Sequence, residues 1–534
     1  MTGWNFADVF DAVARAVPGR AAVIEPDGTV CTWRAFERRA AALAEDLVES
    51  GVGRHERVAI MLRNSAAYLE TCYATFKAGL TPVNVNYRYG VDEVDDLLAD
   101  AGAVALVYHG EFRGVVDELV DRGASPAIRY EVADVDAGVG EGARSYASTV
   151  TRECAFDDAP WGRSGSDLVL LYTGGTTGRP KGVMWRQDDL FRTLLASGND
   201  FRRIPVPTSA DQLAASAVAG GGVRDLPACP MMHATGLFNS FMTLAGGGTT
   251  VVLPGSSFHA STLWKTVARE RVELVVIVGD AFAVPMVDSL VELGASLDLD
   301  CLAAVVSSGA AFRRSTKEAL LTYLPHIAIV DAFGSSEASG IGWTVSRAGD
   351  VRDSAEFSLN DHVRVIADDG TWFETGEQGT GKVAFGGILP LGYHNDPDKT
   401  AETFQVIDGR RYAIPGDHVR VDEDGTLHLL GRGSACINTG GEKVYPEEVD
   451  ECLREHPDVA DVGCVGIPDA RFGQVICAVV AGRSDRCPSA DELADHVRGR
   501  LAAYKAPRKV VEVDEVPRLA TGKLDYPALT ALAT

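Results

Sequence analysis

The chain has 534 residues, of which 46% are hydrophobic and 23% are charged, and its formal net charge at pH 7 is -25. This length exceeds what one hydrophobic core usually supports, so at least two domains are expected. The acidic balance argues against nucleic-acid and anionic-membrane partners, because both require a basic surface on the protein.

The first residues of the chain do not resemble a targeting segment. Asp8 and Asp11 fall where a signal peptide would be apolar. Farther along, no apolar run reaches the roughly 20 residues that a membrane helix requires, so no membrane span is expected. The ten cysteines are scattered and have no metal-ligand spacing, which favours a reduced, cytoplasmic protein.

Short runs rich in β-branched residues recur through the first two thirds of the chain. They predict strands over 57–62, 81–86, 104–110, 168–172, 273–279, 302–309 and 327–334. Segments with helical periodicity lie between several of them, for example from Thr32 to Ser50. Apolar strands that alternate with helices predict an α/β fold whose large N-terminal domain has buried, mostly parallel sheets flanked by helices.

Three of these strands lead into loops of small residues, at Thr173–Gly178, Ser307–Ala311 and Gly334–Ser336. Ligands of open α/β sheets bind beyond the carboxyl ends of the strands. We therefore expect the three loops to share one site, although any single loop could be an ordinary glycine-rich turn. The stretch from Ile204 to Asp225 is instead predicted to be a surface loop or an insertion.

The character of the sequence changes near residue 431. A glycine-rich stretch precedes Pro446, Glu447 and Glu448, which together are typical of a helix start. Two further strand-like runs and a helix from about Ser489 follow. These features predict a small α+β module of ~100 residues. The expected domains are therefore residues 1–431 and residues 432–534.

The stretch YTGGTTGRPKGV, which starts at Tyr172, combines glycines, threonines and a lysine. Backbone amides freed by glycine, together with hydroxyl and ammonium donors, can hold phosphate oxygens. The stretch is not a P-loop, because Gly182 rather than Ser or Thr follows Lys181. A second glycine-rich stretch, GEQGTGKV, has Val383 where a P-loop needs a hydroxyl. A kinase or ATPase of the P-loop type is therefore not expected.

YTGGTTGRPKGV resembles the phosphate-binding loop of the adenylate-forming superfamily, which includes acyl-CoA synthetases, firefly-type luciferases and the adenylation domains of peptide synthetases. DAFGSSE (331–337), YAIPGDHVRVDEDGTLHLLGR (412–432) and LATGKLDY (519–526) are similar to three further motifs of that family, in the same order. The resemblance implies an ATP-dependent, AMP-forming acid–thiol ligase that uses ATP, Mg2+ and coenzyme A. It also implies that the C-terminal module is a mobile lid.

The resemblance assigns the ATP-binding residues position by position. The pyrophosphate would be held by Thr173, Gly174, Gly175, Thr176, Thr177, Gly178 and Lys181, with Thr177 also in a catalytic role. Adenine would meet Asp331 and Phe333, although Phe333 could instead be a core residue. Ala310 would be a further cofactor-binding residue. Ser336 would bind phosphate, and Glu337 would be both a catalytic residue and the Mg2+ ligand.

The same resemblance assigns residues nearer the C-terminus. Asp417 would bind the ribose hydroxyls, and Arg432 would pair with ribose or phosphate at the hinge. Lys523 would be the catalytic cation, between the substrate carboxylate and the α-phosphate; a mobile terminal lysine is the alternative. Ser434 and Ala435 replace a charged pair that many relatives have, so the position of the hinge stays open.

The remaining assignments concern the acid and coenzyme A. His233 would gate the acyl pocket or, alternatively, be a hydrogen-bonded core histidine, and Asp280, Gly309 and Gly334 would also contact the acid. Small pocket walls suggest a bulky acid, either long-chain or polycyclic, such as a steroid or diterpenoid acid. Coenzyme A would pass the residues Gly440, Gly441 and Lys443, the last of which could also remain in solvent.

The stretch GRGSACINTGGEKVYPEEV (431–449) resembles actinobacterial fatty and steroid acyl-CoA ligases. This resemblance implies an acyl-CoA ligase whose partner is a small carboxylic acid or its adenylate. A homodimer is compatible with this class. Two alternatives remain. The first is an enzyme specialised for one half-reaction, either thioesterification of a supplied adenylate or adenylation for a carrier protein. The second is a non-catalytic nucleotide-binding relative.

Overall fold

The structure is a computed structural model of the 534-residue chain. It describes all residues except 1–2, 134–137, 174–179, 197–201, 203–205, 294–295, 354–355, 359–361, 368, 375, 433–436, 440–441, 470–471, 484–486, 502 and 520–521. The chain forms two compact units. Met1–Ser354 and Gly386–Ala413 make up the first unit, and Ala355–Phe385 and Ile414–Thr534 make up the second. The functional boundary near residue 431 stays a prediction.

The strands are described in chain order. They are β1 (Ala21–Ile24), β2 (Val30–Thr32), β3 (Arg57–Met61), β4 (Thr81–Asn84), β5 (Ala103–His109), β6 (Ile128–Val132), β7 (Arg144–Ser145), β8 (Leu168–Thr173), β9 (Lys181–Arg186), β10 (Arg224–Pro227), β11 (Thr249–Val251), β12 (Leu274–Ile277), β13 (Ala304–Ser308), β14 (Ala328–Phe333), β15 (Gly342–Ser346), β16 (Glu356–Ser358), β17 (Val363–Ile366), β18 (Gly379–Phe385), β19 (Gly392–Tyr393), β20 (Phe404–Ile407), β21 (Arg410–Ala413), β22 (Asp417–Val421), β23 (Thr426–Arg432), β24 (Ile437–Thr439), β25 (Glu442–Val444), β26 (Val459–Asp469), β27 (Gly473–Gly482) and β28 (Lys509–Glu512).

The helices are also given in chain order. They are α1 (Phe6–Ala16), α2 (Trp33–Glu49), α3 (Ala66–Lys77), α4 (Val91–Ala101), α5 (Arg113–Asp121), α6 (Tyr146–Val150), α7 (Gln187–Ala196), α8 (Ala210–Val218), α9 (Ala234–Ala245), α10 (Ala260–Glu270), α11 (Asp280–Leu293), α12 (Arg314–Tyr323), α13 (Pro397–Thr403), α14 (Pro446–Arg454), α15 (Ala490–Arg498) and α16 (Tyr526–Ala533). Short 3-10 turns cover Gly110–Phe112 and Ala503–Lys505.

The first unit contains two large sheets. One has the order β15-β14-β13-β12-β10-β11-β1-β2, and the other has the order β19-β9-β8-β4-β3-β5-β6-β7. In the first sheet the pairings from β14 to β1 are parallel, and in the second those from β8 to β7 are parallel. The antiparallel strands β15, β2 and β9 flank these parallel cores. The predicted α/β architecture with mostly parallel sheets is confirmed.

The parallel strands are buried because their sequences are continuously apolar. The four residues of β12 and the first four of β13 are all buried. Trp264 and Phe312 lie in the same apolar cluster as residues from both strands. Every one of the seven strands predicted from β-branched runs is present, with ends that differ by at most two residues. Continuous burial removes the alternation of polar residues that would mark a half-exposed sheet.

Three helix starts predicted from the sequence are confirmed. Thr32 caps α2 by accepting a hydrogen bond from the Ala35 amide at 3.3 Å. Pro446 begins α14, and Ser489 caps α15 together with Glu492. Each cap satisfies a backbone donor that the first helical turn leaves without an intrahelical partner.

The prediction of a surface loop or insertion from Ile204 to Asp225 was wrong in part. Helix α8 occupies nine of these residues, begins after the cap Ser209 and buries Leu213 and Ala217. It packs against α1. Prolines before the helix and glycines after it obscured this short amphipathic segment.

The second unit contains two smaller sheets. In one, β16, β23, β22, β18 and β17 form an antiparallel set. The other has the order β25-β24-β27-β26, with β28 parallel to β27. Helices α14 and α15 share an apolar cluster with these last strands. The small α+β module predicted after residue 431 corresponds to this second sheet and its helices.

Candidate active site

The predicted phosphate loop joins two neighbouring antiparallel strands. Thr173 is the last residue of β8, Lys181 is the first residue of β9, and the two lie opposite each other in the sheet. The hairpin register therefore brings the beginning and the end of the loop together. The predicted phosphate-binding residues Gly174, Gly175, Thr176, Thr177 and Gly178 lie outside the described residues.

Lys181 belongs to a cluster of four residues that also contains Asp396, Tyr393 and Glu337; we call it the Tyr393 cluster. The Lys181 ammonium lies 3.6 Å from the Asp396 carboxylate and 5.7 Å from the centre of the Tyr393 ring. The Tyr393 hydroxyl donates a hydrogen bond of 2.7 Å to Oε1 of Glu337. Glu337 is only 7% exposed. One tyrosine thus links the lysine after the phosphate loop to a buried carboxylate.

A second contact ties the same two regions of the first unit. The indole Nε1 of Trp185, on β9, donates to the backbone oxygen of Ser336 at 2.9 Å. Ser336 and Glu337 follow the end of β14, whose carboxyl end lies beside that of β13. The contacts of Trp185 and Tyr393 therefore join the surroundings of the β8–β9 loop to the edge of the other sheet.

The predicted adenine-binding residues lie at that edge. Asp331, near the end of β14, is 6% exposed, and its Oδ2 accepts a hydrogen bond of 2.9 Å from the ammonium of Lys317. Burial raises the pKa of Asp331, whereas the positive charge of Lys317 opposes that rise. Phe333 is buried, as its core alternative requires, and Ala310 is half-buried on the loop after β13. The roles of these residues in binding adenine stay predictions.

Residues predicted to contact the acid lie near the same strand ends. His233 is half-buried and is the N-cap residue of α9, without a side-chain cap hydrogen bond. Gly309 has a φ of +91°, and a Cβ placed there would lie 3.8 Å from the Thr235 hydroxyl on the first turn of the same helix. That distance is an ordinary van der Waals contact, so the positive φ, which L side chains rarely adopt, is what favours glycine here.

Two further acyl-side predictions have well-defined surroundings. Asp280 begins α11 and forms an ion pair with Arg313, and both side chains are largely buried. At Gly334, a Cβ would lie 3.2 Å from the Ala338 oxygen. That turn is closed by a hydrogen bond of 2.9 Å from the Ser335 amide to Ala338. Contact of Asp280 or Gly334 with a substrate stays a prediction.

In the second unit, Asp417 and Arg432 lie opposite each other. Asp417 begins β22, Arg432 ends β23, and the two form a register pair at one end of the hairpin. Asp417 is 6% exposed. Lys443 lies on β25 opposite Asn438. The predicted coenzyme A residues Gly440 and Gly441, like Ser434 and Ala435 near the hinge, lie outside the described residues.

Lys523 lies in an exposed turn of the second unit. Its backbone oxygen accepts a hydrogen bond of 2.8 Å from the Leu519 amide. On one side of the turn, Arg518 binds Asp461 through two hydrogen bonds of 2.9 and 2.8 Å. On the other side, the Tyr526 hydroxyl donates to Glu447 at 3.3 Å. Two side-chain contacts therefore brace the turn that presents Lys523.

The described residues contain no group of three or more His, Cys, Asp or Glu side chains arranged to hold a metal ion. Mg2+ in nucleotide enzymes is commonly held by one or two carboxylates together with phosphate oxygens, so a single carboxylate fits such a role. Glu337 meets this requirement, because the Tyr393 hydroxyl fixes one of its oxygens in a buried setting. Within the described parts of the chain, no helix is long and apolar enough to cross a membrane.

Sequence reasoning missed several residues that organise the site. Tyr393, Lys317, Trp185 and Asn84 belong to none of the quoted motifs. The Asn84 amide donates to the backbone oxygens of Tyr172 and Met232, at 2.8 and 2.7 Å, and so ties the strand before the phosphate loop to the segment before His233. The one available signal was a polar residue at the end of a buried strand, since Asn84 ends β4.

Comparisons with known proteins show the family to which the chain belongs. A family model described as AMP-binding enzyme matches residues 10–389, and one described as AMP-binding enzyme C-terminal domain matches residues 448–523. The chain belongs to the AMP-binding enzyme family. Its class is that of ATP-dependent, AMP-forming ligases, and the resemblance to adenylate-forming enzymes is confirmed.

Individual relatives narrow the comparison. A medium/long-chain-fatty-acid–CoA/3-oxocholest-4-en-26-oate–CoA ligase of Mycobacterium tuberculosis is 40% identical over 527 residues, which cover 98% of this chain and 95% of the relative. A 3-oxocholest-4-en-26-oate–CoA ligase of Rhodococcus rhodochrous is 38% identical and covers 98% of this chain and 94% of its own. The crystal structure of the anthranilate CoA ligase AuaEII in complex with anthranoyl-AMP matches this chain with a TM-score of 0.84 at 22% identity. The match covers 100% of this chain and 98% of the other, and it shows that the two share a fold.

Proposed function

We propose that the protein is an acyl-CoA ligase. A carboxylic acid reacts with ATP to give acyl-AMP and pyrophosphate, and the acyl group then passes to the thiol of coenzyme A with release of AMP. The observation that carries this proposal is the Tyr393 cluster. It joins the lysine that follows the phosphate loop to a buried carboxylate at the carboxyl end of a parallel sheet, where α/β enzymes bind nucleotides.

In this proposal the first unit holds most of ATP. Thr173, Lys181 and the loop 174–178 bind the pyrophosphate, where negative charge develops as the leaving group departs. Ser336 donates a hydrogen bond to a phosphate oxygen. Asp331 accepts from the adenine amine, while Phe333 and Ala310 lie along the base.

Glu337 is the proposed ligand of Mg2+, through the carboxylate oxygen that Tyr393 does not hold. A hard divalent cation on a carboxylate oxygen suits this donor, and when bound it would offset the charge of the phosphate oxygens. The hydrogen bond from Tyr393 fixes the orientation of the carboxylate before the nucleotide arrives. The Glu337 carboxylate therefore does not need to reorient during the reaction.

The second unit supplies the proposed catalytic cation. Asp417 accepts from the ribose hydroxyls, Arg432 pairs with ribose or phosphate, and Lys523 meets both the substrate carboxylate and the α-phosphate. The carboxylate oxygen attacks the α-phosphorus as the bond to pyrophosphate breaks, and the ammonium of Lys523 offsets the repulsion between two anions. We further propose residues 1–431 as the catalytic body and residues 432–534 as a lid that excludes water from the adenylate.

Thioester formation is proposed to use the residues after the hinge. Gly440 and Gly441 let the pantetheine arm pass close to the backbone, since neither has a side chain. Lys443 is a candidate for a phosphate of coenzyme A. The thiol sulfur attacks the acyl carbon of the adenylate, and AMP leaves.

The proposed acid is bulky, either long-chain or polycyclic. Small residues near α9 support this class, among them Gly309, where the positive φ keeps the position free of a side chain. The two relatives named above act on fatty acids and on a steroid acid, which supports the same class. His233 and Asp280 are the candidate polar contacts. A cytoplasmic location and a homodimer stay predictions.

The test is incubation with ATP, Mg2+, coenzyme A and a panel of long-chain, aryl, steroid and diterpenoid acids. Mass spectrometry follows acyl-AMP and acyl-CoA separately, and Lys523→Ala serves as the control. We expect both products with at least one bulky acid, and formation of both to be about 10²-fold slower or more in the control.

The other outcomes separate the alternatives. Thioester from supplied acyl-adenylates alone indicates an enzyme for the second half-reaction, and acyl-AMP without thioester indicates adenylation for another acceptor. ATP binding with no product from any acid would favour a non-catalytic relative and would contradict the proposal.

A further inference from the structure

An ion pair that is almost completely buried lies in the first unit, at the predicted adenine site. Lys317, on α12, has a side chain that is 0% exposed, and Asp331, on β14, has one that is 8% exposed. Nζ of Lys317 lies 2.9 Å from Oδ2 of Asp331. The ammonium also donates to the backbone oxygens of Arg352 and Asp353 at 3.5 Å each, and it lies 5.6 Å from the centre of the Phe312 ring.

The fold by itself does not require this pair. Removing two charges from water is costly, and a well-packed apolar pair of similar volume is often as stable or more so. Helix α12 already contributes Leu320 and Leu321 to the apolar cluster of the sheet. A buried lysine at this position is therefore better explained by what it does to Asp331 than by a contribution to stability.

The charge state of Asp331 decides which groups it can bind. Burial raises the pKa of Asp331, and Asp280 raises it further, whereas the Lys317 ammonium lowers it. Asp280 is itself paired with Arg313, on the loop before α12. An ionised carboxylate only accepts hydrogen bonds, while a protonated carboxyl group also donates one. Without the lysine, the carboxyl group would hold a proton at higher pH than it does now.

The two common types of purine differ at the atom that Asp331 is proposed to meet. Adenine has an amino group at C6, which donates a hydrogen bond, whereas hypoxanthine and guanine have a carbonyl oxygen there, which accepts one. An ionised carboxylate therefore matches adenine and repels the other two. A protonated carboxyl group would lose that selectivity, because its hydroxyl can donate to the carbonyl oxygen.

We propose that Lys317 is a positioning residue that keeps Asp331 ionised and oriented, so that the enzyme selects a nucleotide with a 6-amino purine. The inference rests on the proposed adenylation function and on the assignment of Asp331 to the base. Lys317 acts through Asp331 and does not touch the nucleotide, because its ammonium is directed to the carboxylate and to two backbone oxygens.

The experiment compares ATP with inosine triphosphate as the substrate of acyl-AMP formation. The kcat/KM of each nucleotide is measured for the wild type, Lys317→Met, Lys317→Arg and the control Arg314→Met, which removes an exposed positive charge from the same helix. We expect the wild type and the control to prefer ATP by about 100-fold, as the loss of a hydrogen bond to a charged group implies. Lys317→Met should reduce this preference to about tenfold or less, and Lys317→Arg should restore most of it.

A pH profile adds a readout that a purely structural role would not change. Loss of the lysine raises the pKa of Asp331, so kcat/KM for ATP in Lys317→Met should increase as the pH rises from 6 to 9, relative to the wild type. Where Lys317→Met does not fold, the double variant Lys317→Met/Asp331→Asn removes both charges together. Its amide can donate or accept, so its preference for ATP should also fall to about tenfold or less.

The outcomes distinguish this inference from the function on which it rests. A wild type that forms no acyl-AMP with ATP contradicts the proposed function. A wild type that adenylates with ATP but accepts inosine triphosphate equally well overturns the assignment of selectivity to Asp331. An unchanged nucleotide preference in folded Lys317→Met overturns the role of Lys317. An unchanged preference in the double variant overturns the assignment of Asp331 to the base, on which the role of Lys317 depends.

Discussion

The surroundings of Glu337 and those of Lys523 are built in opposite ways. Glu337 is 7% exposed and follows a buried parallel strand, and it is held by Tyr393 within the first unit. Lys523 lies on an exposed turn of the second unit. Side-chain contacts of Arg518, before the turn, and of Tyr526, after it, hold the turn in place. The buried group has a fixed orientation, whereas the exposed one is presented by contacts made on either side of it.

The difference predicts two kinds of contribution to the proposed reaction. A buried, hydrogen-bonded carboxylate is preorganised, and replacing its partner leaves a polar atom without compensation. We expect the exposed Lys523 to contribute more to the proposed reaction than to the stability of the fold. Variants at the buried site should therefore change stability and activity together, while variants at the turn should change activity alone.

The largest expected effect belongs to Lys523→Ala. We expect acyl-AMP formation to fall by about 10²–10³-fold, the cost of removing one preorganised charge donor from a transition state. The unfolding temperature should remain unchanged, because the side chain is exposed. Single-turnover adenylation and thermal unfolding give the two values. Arg498→Ala, which removes an exposed positive charge from a helix of the same unit, is the control. A lower unfolding temperature with an unchanged adenylation rate would contradict this prediction and would assign Lys523 a structural role.

Tyr393→Phe is expected to have the next largest effect. The variant removes the hydroxyl that donates to Glu337 at 2.7 Å and leaves a buried carboxylate oxygen without that donor. A hydrogen bond to a charged group is worth about 1.5–3 kcal/mol, so kcat/KM for ATP should fall by roughly tenfold or more and the protein should lose stability. Titration of activity against Mg2+ should show a higher requirement. Equal stability and equal Mg2+ dependence would mean that Tyr393 does not orient Glu337.

Glu447→Gln tests the contact between Glu447 and Tyr526, next to the Lys523 turn, through the pH dependence of stability. Burial raises the pKa of Glu447 from its ordinary 4.5 to about 7, and Asp450 and Asp417 add to this rise while Tyr526 opposes it. The folded state thus binds more protons than the unfolded state between these values, and stability is lost as the pH rises from about 4.5 to about 7. Over this pH range the unfolding temperature should fall less steeply with pH in the variant than in the wild type, with a difference of a few degrees. Parallel curves would show that Glu447 does not titrate there.

Arg518→Ala is expected to have the smallest effect. Its bidentate pair with Asp461 is about 30% exposed on each side, and surface ion pairs typically contribute about 0.2–1 kcal/mol. We expect a stability change within that range and an adenylation rate reduced only severalfold, with the KM for ATP unchanged. A rate loss as large as that of Lys523→Ala would show that Arg518 takes part in the chemistry itself.

Much of the fold followed from local patterns. The seven apolar runs became strands, and Thr32, Pro446 and Ser489 became helix starts, because burial and capping depend on residues close together in the chain. The site was only partly predictable. The motifs indicated Asp331, Ser336 and Glu337, but no local pattern indicated Lys317, which lies 14 residues before its partner Asp331.

The sequence by itself determined the class of enzyme and the chain order of its motifs, since each motif is a short run whose residue types suit one task. Only the tertiary structure revealed how these residues are held. Tyr393 meets Glu337 across 56 residues, and Asn84 meets Tyr172 across 88. Such contacts depend on which strands become neighbours in a sheet, and that choice is made by packing over the whole unit rather than by any single stretch of chain.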